Sequence, residues 1–289
     1  MDNQLQPNNK NNDPQLPLVA FQGEHGAYSE AAAFAHFGEQ IRTRPCESFD
    51  QVFSLVEKGY VDLGLIPIEN SLAGSIHRNY DLLMRHALHI IGEEYLRVRH
   101  CLIGMPEAQL YQINKVISHP QALAQCEGYL KRRGLASQAA YDTAGSVKLV
   151  KIGGDPSVAG IASRHAAQVY GMQILEEGIE DDKANYTRFL AISRKPQPPE
   201  GEAKTSIVFT LNNQPGALFK ALSVFSLRDI DLAKIESRPQ IGKPWEYLFY
   251  IDFLGAADEA RCANALKNLG EFAPMLRVLG SYLRSKPVE

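Results

Sequence analysis

Thr187 and Arg188 sit in the run Asn185-Tyr186-Thr187-Arg188-Phe189, where a hydroxyl neighbours a guanidinium. Tyr186 to Ser193 alternates well enough to be a half-buried β-strand. Inside a strand, a Thr hydroxyl and an Arg head group are costly unless both find partners. On propensity alone the pair needs no chemistry, since Thr is β-branched and Arg can be its solvated neighbour. The alternative is a hydroxyl donor and a fixed cation at one wall of an anion-binding cleft. The rest of the chain favours the cleft.

Small hydroxyl residues and glycines recur where short apolar runs give way to helical patterns. Leu18–Phe21 runs into Gln22–Ser29, and Leu63–Ile66 into Pro67–Ser75. Lys115–Ser118 runs into His119-Pro120-Gln121, Val158–Ile161 into Ala162-Ser163, and Asp142-Thr143-Ala144-Gly145-Ser146 opens a further helix. Helix N-termini carry free N–H groups and a positive dipole end, which attract anions. In an open parallel sheet these junctions share the carboxyl edge, where ligands bind. One such Ser is explained by N-capping alone. Five on one edge build a cleft of neutral donors suited to a small polyanion. No G-x-x-x-x-G-K-[ST] occurs and no G-x-G-x-x-G follows a strand, which argues against nucleotide phosphates.

Single side chains keep two readings. His119, held out of the helical region by Pro120, caps its helix or faces the ligand. Glu69 is a general acid or base, or a structural carboxylate. Cys126 shares helical spacing with Leu123 and Leu130 and reads as core. Ser71 and Ser75 have no His in a defined relation, so a hydrolase triad is unsupported.

The elements that must hold these residues have legible ends. Ser48 to Gln51 reads as a capping box, and Gly59 stops that helix. Pro120 opens a helix that runs to just before Gly134, Asp142 or Thr143 caps the next, and Gly171 closes the one starting near Ser163. Runs alternating with amphipathic helices predict a mostly parallel α/β sheet up to residue 195. A Pro-rich linker spans 196–204. Beyond it the pattern is strand 205–211, helix 216–227, strand 230–238, strand 247–253, helix 258–269 and strand 276–283, a ferredoxin-like βαββαβ order.

The 289 residues suffice for two domains, and 45% hydrophobic with 22% charged residues is ordinary for a globular protein. A net charge of −3 gives no reason to expect nucleic acid, and no apolar run is long enough to span a bilayer. Residues 1–17 read as a disordered tail with no targeting signal. The four cysteines lack C-x-x-C spacing and the eight histidines lack pairing, so no metal site is expected and a cytoplasmic location is.

From Leu18 to Leu283 the chain resembles prephenate dehydratases and the related arogenate dehydratases. The matching stretches are Gly26–Glu30, Ile66–Ser71, Gly74–Ile76, Ser118–Leu123, Asp142–Gly145, and Asn185 with Thr187–Phe189. The C-terminal part resembles a phenylalanine-sensing ACT domain. It has the family's Glu236-Ser237-Arg238-Pro239, and Gly216-Ala217-Leu218-Phe219 with Phe where the family has Val. No helical chorismate mutase module precedes Leu18, so a bifunctional arrangement is not implied.

The resemblance implies a two-lobed, periplasmic-binding-protein-like catalytic domain over 18–195, plus the ACT regulatory domain over 205–289. Lobe one would be 18–95 and 180–195, lobe two 96–179. Prephenate would lose water and CO2 to give phenylpyruvate, with no cofactor. Thr187, Arg188 and Phe189 would be catalytic. Substrate would be bound by Ser29, Glu69, Asn70, Ser71, Gly74, Ser75, Ser118, His119, Gln121, Ala122, Asp142, Thr143, Ala144, Gly145, Ser163 and Asn185. L-Phenylalanine would bind Gly216–Phe219 and Glu236–Pro239 across the interface of a homodimer or homotetramer. Two other readings stay open. The stretch Leu72–Leu83 and Phe219 look similar to plant arogenate enzymes, which make phenylalanine directly. A non-catalytic small-anion sensor would have the same fold but no need of the Thr187 hydroxyl.

Overall fold

The computed structural model describes residues 15–240, 242 and 246–286, so residues 1–14 of the expected tail lie outside the described residues. Contacts divide the described residues into two compact units, 15–76 with Glu94–Phe189, and His77–Glu93 with Leu190–Lys286.

In chain order the elements begin β1 (Leu18–Gln22), α1 (Tyr28–Phe37), β2 (Arg42–Cys46), α2 (Phe49–Lys58), β3 (Leu63–Asn70), β4 (Gly74–Ser75), α3 (His77–Arg85) and β5 (His89–Arg97). Then come β6 (Cys101–Gly104), β7 (Lys115–Ser118), α4 (Pro120–Gln125), α5 (Glu127–Arg133), β8 (Ala136–Ala139), α6 (Thr143–Gly153), β9 (Val158–Ala162), α7 (Arg164–Tyr170) and β10 (Gln173–Glu177). Last are β11 (Tyr186–Ser193), β12 (Ala203–Thr210), α8 (Ala217–Ser226), β13 (Leu232–Pro239), β14 (Tyr247–Leu254), α9 (Ala260–Gly270) and β15 (Met275–Leu283).

The first sheet runs β2-β1-β3-β11-β5 with β4 on β3, and the second runs β10-β6-β9-β7-β8. These are the two lobes of a periplasmic-binding-protein-like α/β architecture. Each contains the same device. β1 pairs in parallel with both β2 and β3, and β7 pairs in parallel with both β8 and β9. A strand flanked by its two successors is a topological switch point, which leaves a crevice at the strands' carboxyl ends. The expected parallel character therefore holds at the heart of each sheet. It fails at β4, β6 and β10, which are antiparallel.

Helix ends follow the sequence signals closely. Ser48 accepts from the Gln51 N–H, and Gly59 is left-handed at φ 75°. The Gln51 side chain accepts from the Glu47 N–H at 2.9 Å, one residue short of the Ser48 amide that a full capping box would engage. The helix expected from Pro120 to before Gly134 is two helices. Asp181 interrupts the backbone ladder there: its N–H donates to the Gln125 carbonyl at 2.8 Å, and its carboxylate accepts from the Gly128 N–H at 2.9 Å.

The second unit contains an antiparallel sheet ordered β13-β14-β12-β15 with α8 and α9, the ferredoxin-like βαββαβ arrangement. On one face Ile207, Phe209, Ile251 and Phe253 form an apolar core with Phe225 of α8 and Cys262 and Leu269 of α9. The other carries buried polar groups and packs against His77–Glu93, a segment the sequence reading assigned to lobe one. Lys204 and Glu93 form an ion pair of 2.6 Å, their side chains 4% and 0% exposed. The Arg277 guanidinium donates to the carbonyls of Leu83, His86 and Leu88, closing the C-terminal end of α3.

Candidate active site

Within the first unit both crevices open on one cavity of about 450 Å3, reached from one sheet by Gln22 and Asn70 and from the other by His119, Gln121 and Thr143. Strand alternation decides what β11 contributes. Thr187 and Phe189 line the cavity. Arg188, between them, turns to the opposite face of a period-two strand, where it is buried with its guanidinium 6.0 Å from the centre of the Tyr95 ring. The expected fixed cation at the cleft wall is thus absent from the wall.

Asn70 sets the Thr187 hydroxyl. Its Oδ1 accepts from the N–H groups of Leu72 at 3.1 Å and Ala73 at 2.9 Å. Only a carbonyl oxygen can play that part, so the amide orientation is fixed and Nδ2 is the donor. Nδ2 lies 3.0 Å from Thr187 Oγ1 and 2.7 Å from Asn185 Oδ1. With a donor already on its oxygen, Thr187 keeps its own proton for a partner in the cavity.

Ser29, Gly74, Ser75, His119, Gln121, Ala122 and Thr143 also line the cavity. Tyr28 and Ser29 open α1, whose N-cap Ala27 takes no side-chain hydrogen bond, while the Glu30 carboxylate of the same first turn engages the Gly26 N–H. At α4 and α6 the caps are built in: His119 Nδ1 accepts from the Gln121 N–H, and Asp142 accepts from the Gly145 N–H.

Several expected substrate ligands instead hold the walls together. Ser71 Oγ donates to the Ala184 carbonyl and accepts from the Tyr186 N–H. Ser118 Oγ donates to the Ile161 carbonyl at 2.6 Å, and Ser163 Oγ to the Gly26 carbonyl at 2.7 Å. Asp142 also accepts from the Glu24 N–H. Ala144 lies in an apolar core cluster, Asn185 supports Asn70, and Glu69 and Gly145 do not line the cavity. These hydroxyls do the capping and bridging that a single Ser at a helix start ordinarily does.

Sequence reasoning missed Gln22, Tyr28, His100 and Gln125. Gln125 follows Gln121 by four residues, so one helical face carries both, and Tyr28 adjoins Ser29. His100 had no local signal. It is 2% exposed, with Nε2 2.8 Å from Gln125 Oε1 and Nδ1 2.9 Å from the Tyr28 hydroxyl. Burial holds His100 below its ordinary value, with the Gln125 hydrogen bond and Glu180 opposing. Burial also pushes Tyr28 well above the usual phenol range. None of the described lining residues is Asp, Glu, Lys or Arg. No cluster among the described residues could hold a metal ion, and none of their helices is long and apolar enough to cross a membrane.

A second cavity, about 410 Å3, lies elsewhere between the same two sheets and has the opposite character. Glu30 is 2% exposed. Its carboxylate meets His25 Nδ1 at 2.7 Å, His165 Nε2 at 3.0 Å, Thr43 Oγ1 at 2.7 Å and the Gly26 N–H at 2.6 Å. Burial alone would raise the Glu30 carboxyl. The hydrogen bonds from both histidines, Gly26 and Thr43 outweigh it and hold it well below the carboxylate range.

In the second unit, Ala217 and Leu218 line a pocket of about 130 Å3 with Asn212, Tyr247 and Phe249. Gly216 caps α8 at φ 79°, and Phe219 is 76% exposed. Alternation splits the expected effector motif. Ser237 and Pro239 stand opposite Phe249 and Tyr247. Glu236 and Arg238 face α3, 3.2 Å from His77 and 3.4 Å from Asp81.

The family model for prephenate dehydratase matches residues 19–197, and that for the ACT domain matches 205–271. The chain belongs to the prephenate dehydratase family. As a member it is a dehydratase, a carbon–oxygen lyase with an ACT domain. An arogenate dehydratase/prephenate dehydratase 2 from Arabidopsis thaliana, described as chloroplastic, is 50% identical over 91% of this chain and 72% of its own length. A solved prephenate dehydratase from Arthrobacter aurescens, in complex with L-Phe, is 31% identical with a TM-score of 0.85, covering 94% of this chain and 92% of that one. A structure described as a quorum-quenching acylase, GqqA, is 36% identical with a TM-score of 0.87, covering 93% of this chain and 98% of that one.

Proposed function

We propose that the chain converts prephenate to phenylpyruvate, CO2 and water in the cavity at the two switch points, and that L-phenylalanine regulates it through the ACT domain. One observation carries this reading: a Thr187 hydroxyl, oriented by Asn70, faces a cavity of neutral donors. The catalytic domain is taken as 18–195 in two lobes. The C1 carboxylate leaves as CO2, its bond electrons complete the aromatic ring, and the ring hydroxyl departs as water with a proton passed by Thr187, which regains one from solvent. Aromatisation drives the step, so positioning and hydrogen bonding suffice without a cofactor. The uncapped start of α1 and the Gln121 and Gln125 amides suit the carboxylate that remains. Arg188, packed on Tyr95, acts as a support for the strand that carries Thr187.

A second reading, arogenate to L-phenylalanine, is favoured by the names of the plant relatives. Arogenate differs by an ammonium in place of the keto group, and a lining without carboxylates offers that cation no counter-ion, which favours prephenate. Purified protein given each substrate, with phenylpyruvate and phenylalanine quantified, decides the matter. Thr187→Ala should lower kcat by about 10²–10³-fold with KM little changed; an unchanged kcat removes Thr187 from the chemistry.

L-Phenylalanine would bind at the pocket beside Ala217 and Leu218. A homodimer or homotetramer, joined where Leu218 and Phe219 are exposed, would complete it. Calorimetry showing no phenylalanine binding ends that part of the reading. The four cysteines are unpaired and buried, which suits a reducing compartment such as the cytoplasm.

A further inference from the structure

The substrate cavity poses a charge problem that its walls do not solve. Prephenate is a dianion, and this inference rests on prephenate being the substrate. The described lining residues include no lysine or arginine. Neutral donors and one helix start offset part of the charge, yet an anion taken from water without a cation remains costly. Two imidazoles line the cavity, His100 and His119.

They are not equivalent. His119 Nδ1 accepts from the Gln121 N–H at 3.2 Å as the cap of α4, so a proton on that nitrogen would break the cap. The partners of His100 suit a ring protonated on both nitrogens. Nε2–H donates to Gln125 Oε1 at 2.8 Å. Nδ1–H donates to the Tyr28 oxygen at 2.9 Å, and the Tyr28 hydroxyl donates onward to the Arg99 carbonyl at 2.9 Å. A neutral ring also satisfies these contacts, with the Tyr28 hydroxyl turned to donate to Nδ1 in place of the Arg99 carbonyl. Both partners can therefore accept from an imidazolium without moving, while burial disfavours the charged ring.

The fixed charge acting on the ring is the Glu180 carboxylate, which favours the protonated form against burial. The ring meets Tyr28 from α1, and the buried thiols of Cys101 and Cys126, both pushed up by burial, neighbour that tyrosine. Glu180 accepts from the His100 backbone N–H at 2.9 Å and lies 3.8 Å from the Arg97 guanidinium, and Arg99 lies 3.5 Å from Glu177.

We propose that His100 takes up a proton as the substrate dianion enters and serves as the cavity's cation only in the complex. The stoichiometry agrees: a dianion that leaves as phenylpyruvate monoanion, CO2 and water consumes one proton. A cation formed on demand also disfavours arogenate, whose own ammonium already offsets one carboxylate.

The test is calorimetry of the full chain with a ring-saturated prephenate analogue, which cannot aromatise, near pH 7.5 in phosphate and in Tris. Wild type should take up about one proton per ligand, with apparent affinity falling about tenfold per pH unit between the ring's free value and its value in the complex and levelling off above that. His100→Asn should show no uptake and a flat pH profile. Ring 15N shifts of His100 in wild-type protein, free and bound, give the same answer without a variant. Binding without buffer dependence, or uptake that survives in His100→Asn, overturns the proposal and leaves the substrate reading standing. Failure of the analogue to bind at all overturns both.

Discussion

The two sheets of the first unit meet around two cavities that handle charge in opposite ways. One is lined by Thr187, Asn70, His100 and glutamine amides, with no carboxylate, lysine or arginine among the described lining residues. The other is built on Glu30 of α1, joined to His165 of α7, with Glu24 and Lys148 pairing at 3.1 Å beside it. A buried carboxylate saturated by four donors is rigid and demanding of geometry, which suits a fastening between lobes. A neutral cavity keeps its donors unspent for a ligand that brings its own charge. One fold thus separates holding the lobes from binding between them.

The contrast is broken most severely by moving a charge across it. Ser29→Asp puts a carboxylate at the open start of α1 and should cut kcat/KM by about 10²–10³-fold in steady-state assays, in line with like charges a few ångströms apart at an effective dielectric near 20. Thermal stability should fall as well, because Ser29 is buried next to the Glu30 carboxylate in the same first turn. Glu30→Gln does the reverse. It should lower unfolding free energy by about 3 kcal/mol in urea titrations, with kcat/KM nearly kept.

The pH dependence of stability sharpens the same contrast. The depressed Glu30 carboxyl stabilises the fold above the unfolded value near 4.5, and this is lost as pH falls through the folded value. His25, raised mainly by its hydrogen bond to Glu30, stabilises fully below 6.5, and this is lost as pH rises through the folded value. Urea midpoints from pH 3 to 9 should therefore peak between these limits, and Glu30→Gln should flatten both flanks. Smallest is Gly26→Ala, at φ 89° with an added Cβ 2.7 Å from Ala166 Cα. It should cost about 1–3 kcal/mol by thermal unfolding, and Ala166→Gly should not restore stability, because the 2.7 Å contact is to the Ala166 Cα that glycine keeps.

Much of the fold was legible because its signals are local. The Ser48 cap, the Gly59 and Gly171 stops and the βαββαβ order each depend on a few neighbouring residues and on side-chain period. Strand β11 appeared at the expected residues. The site was half legible: residue types at the junctions marked the cleft edge, while Ser71, Ser118 and Ser163 proved to be spent on bridges that no short window shows.

The sequence by itself determined the elements, their order and the motifs that place the chain in its family, because propensity, capping and periodicity act within a turn or a strand. Only the tertiary structure decided which side chains meet. Asn70 reaches Asn185 across 115 positions, His100 finds Tyr28 across 72, and Arg188 is turned out of the cavity that its neighbours line. Those outcomes follow from sheet register and from which face of a strand is covered, and both are settled by packing between distant segments.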